Sequence, residues 1–242
     1  MQGGAVVAML SGLFGVALGI ALVRPAYRLS VAADDPVRTA CEGCAVPLRW
    51  LARPGCPGCG RRLGPPAWSL AAVSGVACAG MGWRFGMAWE LVPYLGLALL
   101  GVLLGAIDLA VLRLPDVLVK PGFVVATGLL AAGALIDSAW WSLLWAGLAA
   151  AVLAGMYLIL AILPGGALGY GDVKLAGLLG LYAGWLGWGE VLATAVLPFV
   201  LNGAVVIVLL ILRRVSRTTL VPLGPAMLAG TWLAVVALPI AR

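Results

Sequence analysis

The chain has 242 residues, of which 64% are hydrophobic and only 10% charged, and its mean hydropathy is +1.13. A water-soluble globular domain does not carry so little polar surface, so lipid is the expected solvent. The net charge of +6 does not imply a nucleic-acid partner, because the basic residues sit between apolar runs and are not gathered onto one aromatic-interleaved face.

The first apolar run, 4–23, is followed by Arg24 and Arg28, with no basic segment ahead of it and no A-x-A-like cleavage site behind it. It reads as a retained helix. A polar, Pro-rich segment, 24–66, follows and holds four of the five cysteines. Further spans are predicted over 67–83, 91–107, 121–137, 141–163, 173–189, 191–212 and 220–240, the second and sixth of the eight being short. A helix needs roughly 20 apolar residues to cross a ~30 Å hydrocarbon layer. The runs are apolar on every side and rich in Gly and Ala, where a membrane barrel would show short alternating segments. The expected fold is therefore an all-α, polytopic membrane bundle of about eight transmembrane helices with a small cysteine module. Its expected division is 1–90, the first two spans with the 24–66 loop, and 91–242, the remaining spans.

The alternate connections divide the Lys and Arg residues very unequally. One side collects Arg24, Arg28, Arg38, Arg49, Arg53, Arg61, Arg62, Arg113, Lys120, Lys174, Arg213, Arg214 and Arg217, and the other only Arg84 and Arg242. Basic loops stay in the cytoplasm, so the 24–66 segment is expected there and the amino terminus outside.

Cys41-Glu-Gly-Cys44 and Cys56-Pro-Gly-Cys59 form two CxxC pairs, each with a glycine in the tight turn that lets two thiolates converge on one ion. A Cys₄ zinc site would fold a loop too small and polar to build a core of its own. Disulfides or a redox pair are the alternative, which a cytoplasmic location disfavours. Cys78, inside the second span, reads as a small buried apolar residue.

Acidic residues at the ends of membrane helices are costly and point to function. Asp108 closes the third span and Asp172 opens the sixth, and the alternation of spans delivers both carboxylates to the cytoplasmic edge. Two such groups meet the minimum condition for a dyad in which one carboxylate takes a proton from water while the other, protonated, polarises a carbonyl. Asp108 as a helix-end residue paired with Arg113, and Asp172 as a helix cap favoured by the dipole, are the structural alternatives. Pro164, Gly165, Gly166, Gly169 and Gly171 surround Asp172 and suggest a water-accessible re-entrant loop that a substrate backbone can approach. Asp116, after Pro115, caps the next helix or supports the site, and Lys174 is expected to snorkel to the interface. Asp137, Glu90 and Glu190 read as solvated loop charges on the outer side. With no histidine in the chain, a His-based triad and a zincin motif are excluded.

These pieces in this order resemble the type IV prepilin leader peptidases, membrane aspartic peptidases of the GxGD group. The resemblance rests on Arg24-Pro25 after the first helix, the two CxxC pairs, IDLAVLRLPD at 107–116, GYGDVKL at 169–175 and VPLGP at 221–225. It implies Asp108 and Asp172 as the catalytic pair, with Gly169, Gly171, Asp116 and Lys174 as motif support and Cys41, Cys44, Cys56 and Cys59 as ligands of a structural zinc. The implied substrates are prepilins or pseudopilins, whose basic leader is cut at the cytoplasmic face of the bacterial inner membrane, and the implied setting is type IV pilus assembly or type II secretion. Many members also methylate the new amino terminus with S-adenosylmethionine. This chain departs from that half of the pattern, with Gly19 where an Asn is customary and a Glu replaced near Ser69.

Two other classes compete. A cation- or proton-coupled transporter would use the same aspartates near the midplane of a broken helix. An assembly component would use the cysteine loop to dock a partner, leaving the GYGD segment without a purpose. Presenilin-like peptidases share the acid pair but lack the four-cysteine module.

Overall fold

A computed structural model describes residues 2–32, 35–51, 54–163, 168–214, 216, 219 and 221–238. Among these residues there are nine helices and no strand, apart from one isolated antiparallel bridge between Ala40 and Pro47. The chain forms two compact units, Met1–Arg113 and Leu114–Arg242.

The first unit holds α1 (Gln2–Ala21), α2 (Val23–Leu29), α3 (Ala67–Phe85) and α4 (Leu91–Val111). Pro25 has no N–H to offer the carbonyl of Ala21, so the long first helix stops there and a short one resumes. Small residues bring α1 and α3 together. Gly12, Gly15 and Gly19 of α1 face Ser74, Gly75, Cys78 and Ala79 of α3, and a Cβ on Gly19 would fall 2.6 Å from the Leu70 carbonyl oxygen. Without side chains in the way the two backbones approach closely, the usual basis of helix association in lipid. The loop between α2 and α3 carries the cysteine module.

The second unit holds α5 (Asp116–Asp137), α6 (Trp140–Ile162), α7 (Tyr170–Leu186), α8 (Trp188–Ile211) and α9 (Gly224–Ala237). α7 is its axis. Residues 175–186 are buried without a break, and α5, α6, α8 and α9 all pack on α7. A helix that is apolar all round belongs in such a place. Gly180 and Gly184 let α7 touch the backbone of α6, a Cβ on Gly180 lying 2.7 Å from the Ala149 carbonyl oxygen.

Each of the eight expected spans falls on a helix, and α2 is an addition. The sixth begins three residues earlier than expected, at Tyr170. Among the described residues five helices are long and apolar enough to cross a membrane: α1 from Gly3, α4, α5, α6 and α8. Together they fit a polytopic membrane protein.

Two charges depart from expectation. Glu90 and Glu190 are not solvated loop residues but are buried, 6% and 1% exposed. Glu90 caps α4 where Tyr94 meets Phe85, with ring centroids 4.4 Å apart. α8 follows α7 after the single residue Gly187, and Glu190 lies in its buried first turn. Glu190 Oε1 and Thr194 Oγ1, one helical turn apart, have no hydrogen-bond partner. Asp137 is exposed, as expected.

Candidate functional site

The cysteine module is two turns of the same design. In the first, the Cys41 N–H donates to the Val46 carbonyl (3.0 Å) and the Ala45 N–H to that of Cys41 (2.9 Å). In the second, Cys56 N–H donates to the Arg61 carbonyl (2.9 Å) and Gly60 N–H to that of Cys56 (3.0 Å). Ala45 and Gly60 occupy equivalent left-handed positions, at φ 56° and 69°. The turns face one another and bring all four Sγ atoms within 4.8 Å. Cys41 and Cys59 are 3.8 Å apart and Cys44 and Cys56 3.3 Å, both too far for the ~2.05 Å of a disulfide. Tetrahedral zinc with Zn–S bonds near 2.3 Å spaces its sulfurs by about 3.8 Å. The donor set and its spacing therefore fit zinc.

Backbone donors divide the thiols. The Cys59 N–H donates to Cys56 and holds its thiol down to about 6. At Cys44 the Val46 N–H also favours the thiolate, but the neighbouring Cys56 thiol and desolvation outweigh it, and the group is pushed up to about 12. Leu48 and Leu63 close the module with Cys41 and Cys56 into a small core, onto which Tyr27 packs.

Asp108 belongs to the first unit and lies in the last turn of α4, 5% exposed. The helix ends one turn later at Leu112, which takes a left-handed conformation (φ 51°) and donates its N–H to the Asp108 carbonyl at 2.8 Å. Arg113, the expected partner of Asp108, donates to the Ala32 carbonyl at 2.7 Å.

Asp172 belongs to the second unit and lies in the first turn of α7. Its Oδ2 accepts the Gly169 N–H at 3.2 Å, so the acid does close the helix end, three residues inside the cap position. Gly171 sits against Leu114, where a Cβ would come within 3.1 Å of the leucine Cβ, whereas a Cβ on Gly169 would meet nothing closer than 3.8 Å. Of the breaker-rich stretch read as re-entrant, Pro164, Gly165 and Gly166 lie outside the described residues.

Lys174, expected to snorkel to the interface, is paired with an acid. Its Nζ contacts both oxygens of Asp116, at 2.6 and 2.8 Å, and Lys120 Nζ reaches Asp116 Oδ2 at 2.8 Å. The first turns of α5 and α7 are thereby tied together beside Asp172. On a helix, residues two apart point to different sides, so this lysine is not aimed along Asp172.

Residues 94–213 match the model of the Type IV leader peptidase family. They belong to that family. The leader-peptidase region contains Asp108, Asp116, Gly169, Gly171, Asp172 and Lys174. Three curated proteins, each named prepilin leader peptidase/N-methyltransferase, are similar to the chain: one from Stutzerimonas stutzeri at 29% identity, one from Pseudomonas aeruginosa at 30% and one from Pseudomonas putida at 33%. The matches cover 78%, 63% and 63% of this chain and 65%, 51% and 52% of those proteins, so the chain spans less than two-thirds of their lengths. No solved structure matches it.

The sequence reading placed the four cysteines correctly as one cluster but missed what holds it. Arg24, read as a topological charge and as part of the Arg24-Pro25 motif, and Arg28, read only as a topological charge, are 5% and 7% exposed and bond to the module's backbone. Their spacing with Tyr27, at i, i+3 and i+4, is the signal that one helix face was committed to a contact.

Proposed function

We propose that this chain is a membrane-embedded aspartic endopeptidase that removes the basic leader of prepilins or pseudopilins at the cytoplasmic face of the bacterial inner membrane. The observation that carries the reading is the leader-peptidase region, which contains both acids, each at the end of a helix: Asp108 at the close of α4 and Asp172 at the opening of α7. The catalytic core is proposed to run over 91–242.

In this reading one of the two carboxylates takes a proton from the attacking water, and the other holds a proton against the scissile carbonyl oxygen and polarises it. The Gly169 N–H fixes the side chain of Asp172 from below, and the Asp116–Lys174 pair steadies the turn that presents it. The thirteen-to-two distribution of basic residues supports an amino terminus outside and a cytoplasmic cysteine module. That module holds structural zinc, which when bound supplies the cross-link that folds the loop. The substrate's apolar helix lies in lipid while its leader stays in water.

Methylation of the product with S-adenosylmethionine is a separate question, and Gly19 bears on it. The position is closed by the Leu70 carbonyl and by Ser74 Oγ, 2.6 and 2.8 Å from where a Cβ would stand, so no side chain fits there while α1 and α3 keep their packing.

The test is cleavage of a prepilin-like substrate by the detergent-solubilised chain and by Asp108→Asn and Asp172→Asn, with products weighed in the presence of S-adenosylmethionine. Each variant is expected to lose on the order of a hundredfold to ten-thousandfold in rate, the usual worth of a positioned acid or base. Parent-like cleavage by either variant would remove that aspartate from the mechanism, and a product heavier by one methyl group would establish the second activity.

A further inference from the structure

Between α1 and the cysteine module lies α2, seven residues long, which presents Arg24, Tyr27 and Arg28 on one face. All three engage the module. Arg24 donates from Nη2 to the Gly55 carbonyl at 3.0 Å and from Nη1 to that of Arg49 at 3.4 Å. Arg28 donates from Nε to the Arg38 carbonyl and from Nη1 to that of Leu48, both at 2.8 Å, and its guanidinium lies 3.8 Å from the centre of the Trp50 ring. The Tyr27 hydroxyl accepts the Glu42 N–H at 3.3 Å.

The positions of these carbonyls matter more than their number. Arg38 and Leu48 stand on either side of the first CxxC turn, and Gly55 immediately precedes Cys56. The arginine forks thus grip the backbone at the points from which both pairs of thiols are displayed. Arg28 is almost wholly desolvated, yet these acceptors are neutral carbonyls and an aromatic face. A buried guanidinium is stabilised best by an anionic group nearby. The same loop builds one when metal is held, because four thiolates outnumber the charges of a divalent ion.

We infer that Arg24 and Arg28 are outer-sphere positioning residues of the four-cysteine metal centre. They fix the spacing of the two thiol pairs and supply the countercharge of the loaded site, making the short helix α2 part of the metal site's stability. The inference rests on the zinc reading of the cysteines and is independent of the peptidase reading.

The test uses the full chain in detergent and measures zinc and cobalt(II) binding by competition with a chelator of known affinity. The variants are Arg24→Ala, Arg28→Ala and Arg28→Lys, with Arg62→Ala, an exposed arginine, as a control for loss of charge. Loss of an outer-sphere partner typically weakens metal binding about 10- to 100-fold, and that loss is expected for both alanine variants. Arg28→Lys, which keeps the charge and loses the fork, should fall between Arg28→Ala and the parent, and Arg62→Ala should stay at the parent's value. The lysine variant also decides the matter if the alanine variants do not fold. Parent-like affinity in Arg28→Ala and Arg28→Lys, or a loss no larger than that of Arg62→Ala, would overturn the inference while leaving the metal site standing. A parent that takes up neither metal would overturn both.

Discussion

In the cysteine module the two donor residues farthest apart in the chain, Cys41 and Cys59, are separated by 18 residues, whereas the contact beside Asp172 joins Asp116 to Lys174 across 58. The two regions therefore encode their chemistry differently. A soft divalent ion needs four sulfurs at a fixed spacing, and two CxxC turns in one loop supply them almost without help. An acid at a helix end gains its meaning from whatever the packed helices bring beside it, and no local pattern states that.

The sharpest way to break this comparison is to remove one sulfur. Cys56→Ser should reduce bound metal from one ion per chain to near zero by elemental analysis. It should also open residues 24–63 to proteolysis while leaving the second unit protected. Metal held by such loops stabilises them by on the order of 10 kcal/mol, so retained metal would mean that the module does not depend on the ion. A smaller effect tests packing in the first unit. Gly19→Asn places a side chain against a backbone carbonyl that cannot move without separating α1 from α3, and a loss of about 1–3 kcal/mol is expected. Thermal or denaturant midpoints would read it against Gly3→Asn, where a Cβ meets nothing within 4 Å. An equal response from both would show that the α1–α3 contact is loose.

The smallest effect belongs to the second unit. Lys174 and Asp116 are 43% and 41% exposed, so their ion pair should contribute no more than about 1 kcal/mol and should weaken with salt. A double-mutant cycle with Lys174→Met and Asp116→Asn, run at low and high salt, measures that coupling. A large, salt-independent value would show instead that the pair is shielded from water and that the acid end of the second unit is as strongly built as the cysteine module.

Much of the helical architecture is legible in the chain because a membrane span leaves a long apolar signature that needs no partner to be recognised. α4 and α6 are of this kind. The cysteines are legible for the reason already given. Glu190 is not, because its position after α7 looks like a loop until the single residue Gly187 is seen to fold α8 back against α7. Arg24 and Arg28 are legible as charges near a membrane and illegible as clamps, since their acceptors are backbone carbonyls that have no sequence identity. The role of Gly19 is likewise invisible until α3 is placed beside it.

The sequence by itself determined a helical membrane protein, a four-cysteine cluster fit for zinc, and acids at the ends of two particular helices. Each of these follows from hydropathy or from spacing over a few turns of chain. Only the tertiary structure decided that Lys174 answers to Asp116, that two carboxylates at helix starts are buried, and that the short helix α2 grips the cysteine module through two arginines. Those choices depend on which surfaces meet, and contacts between residues far apart in the chain are set by packing of the whole unit, which no local pattern contains.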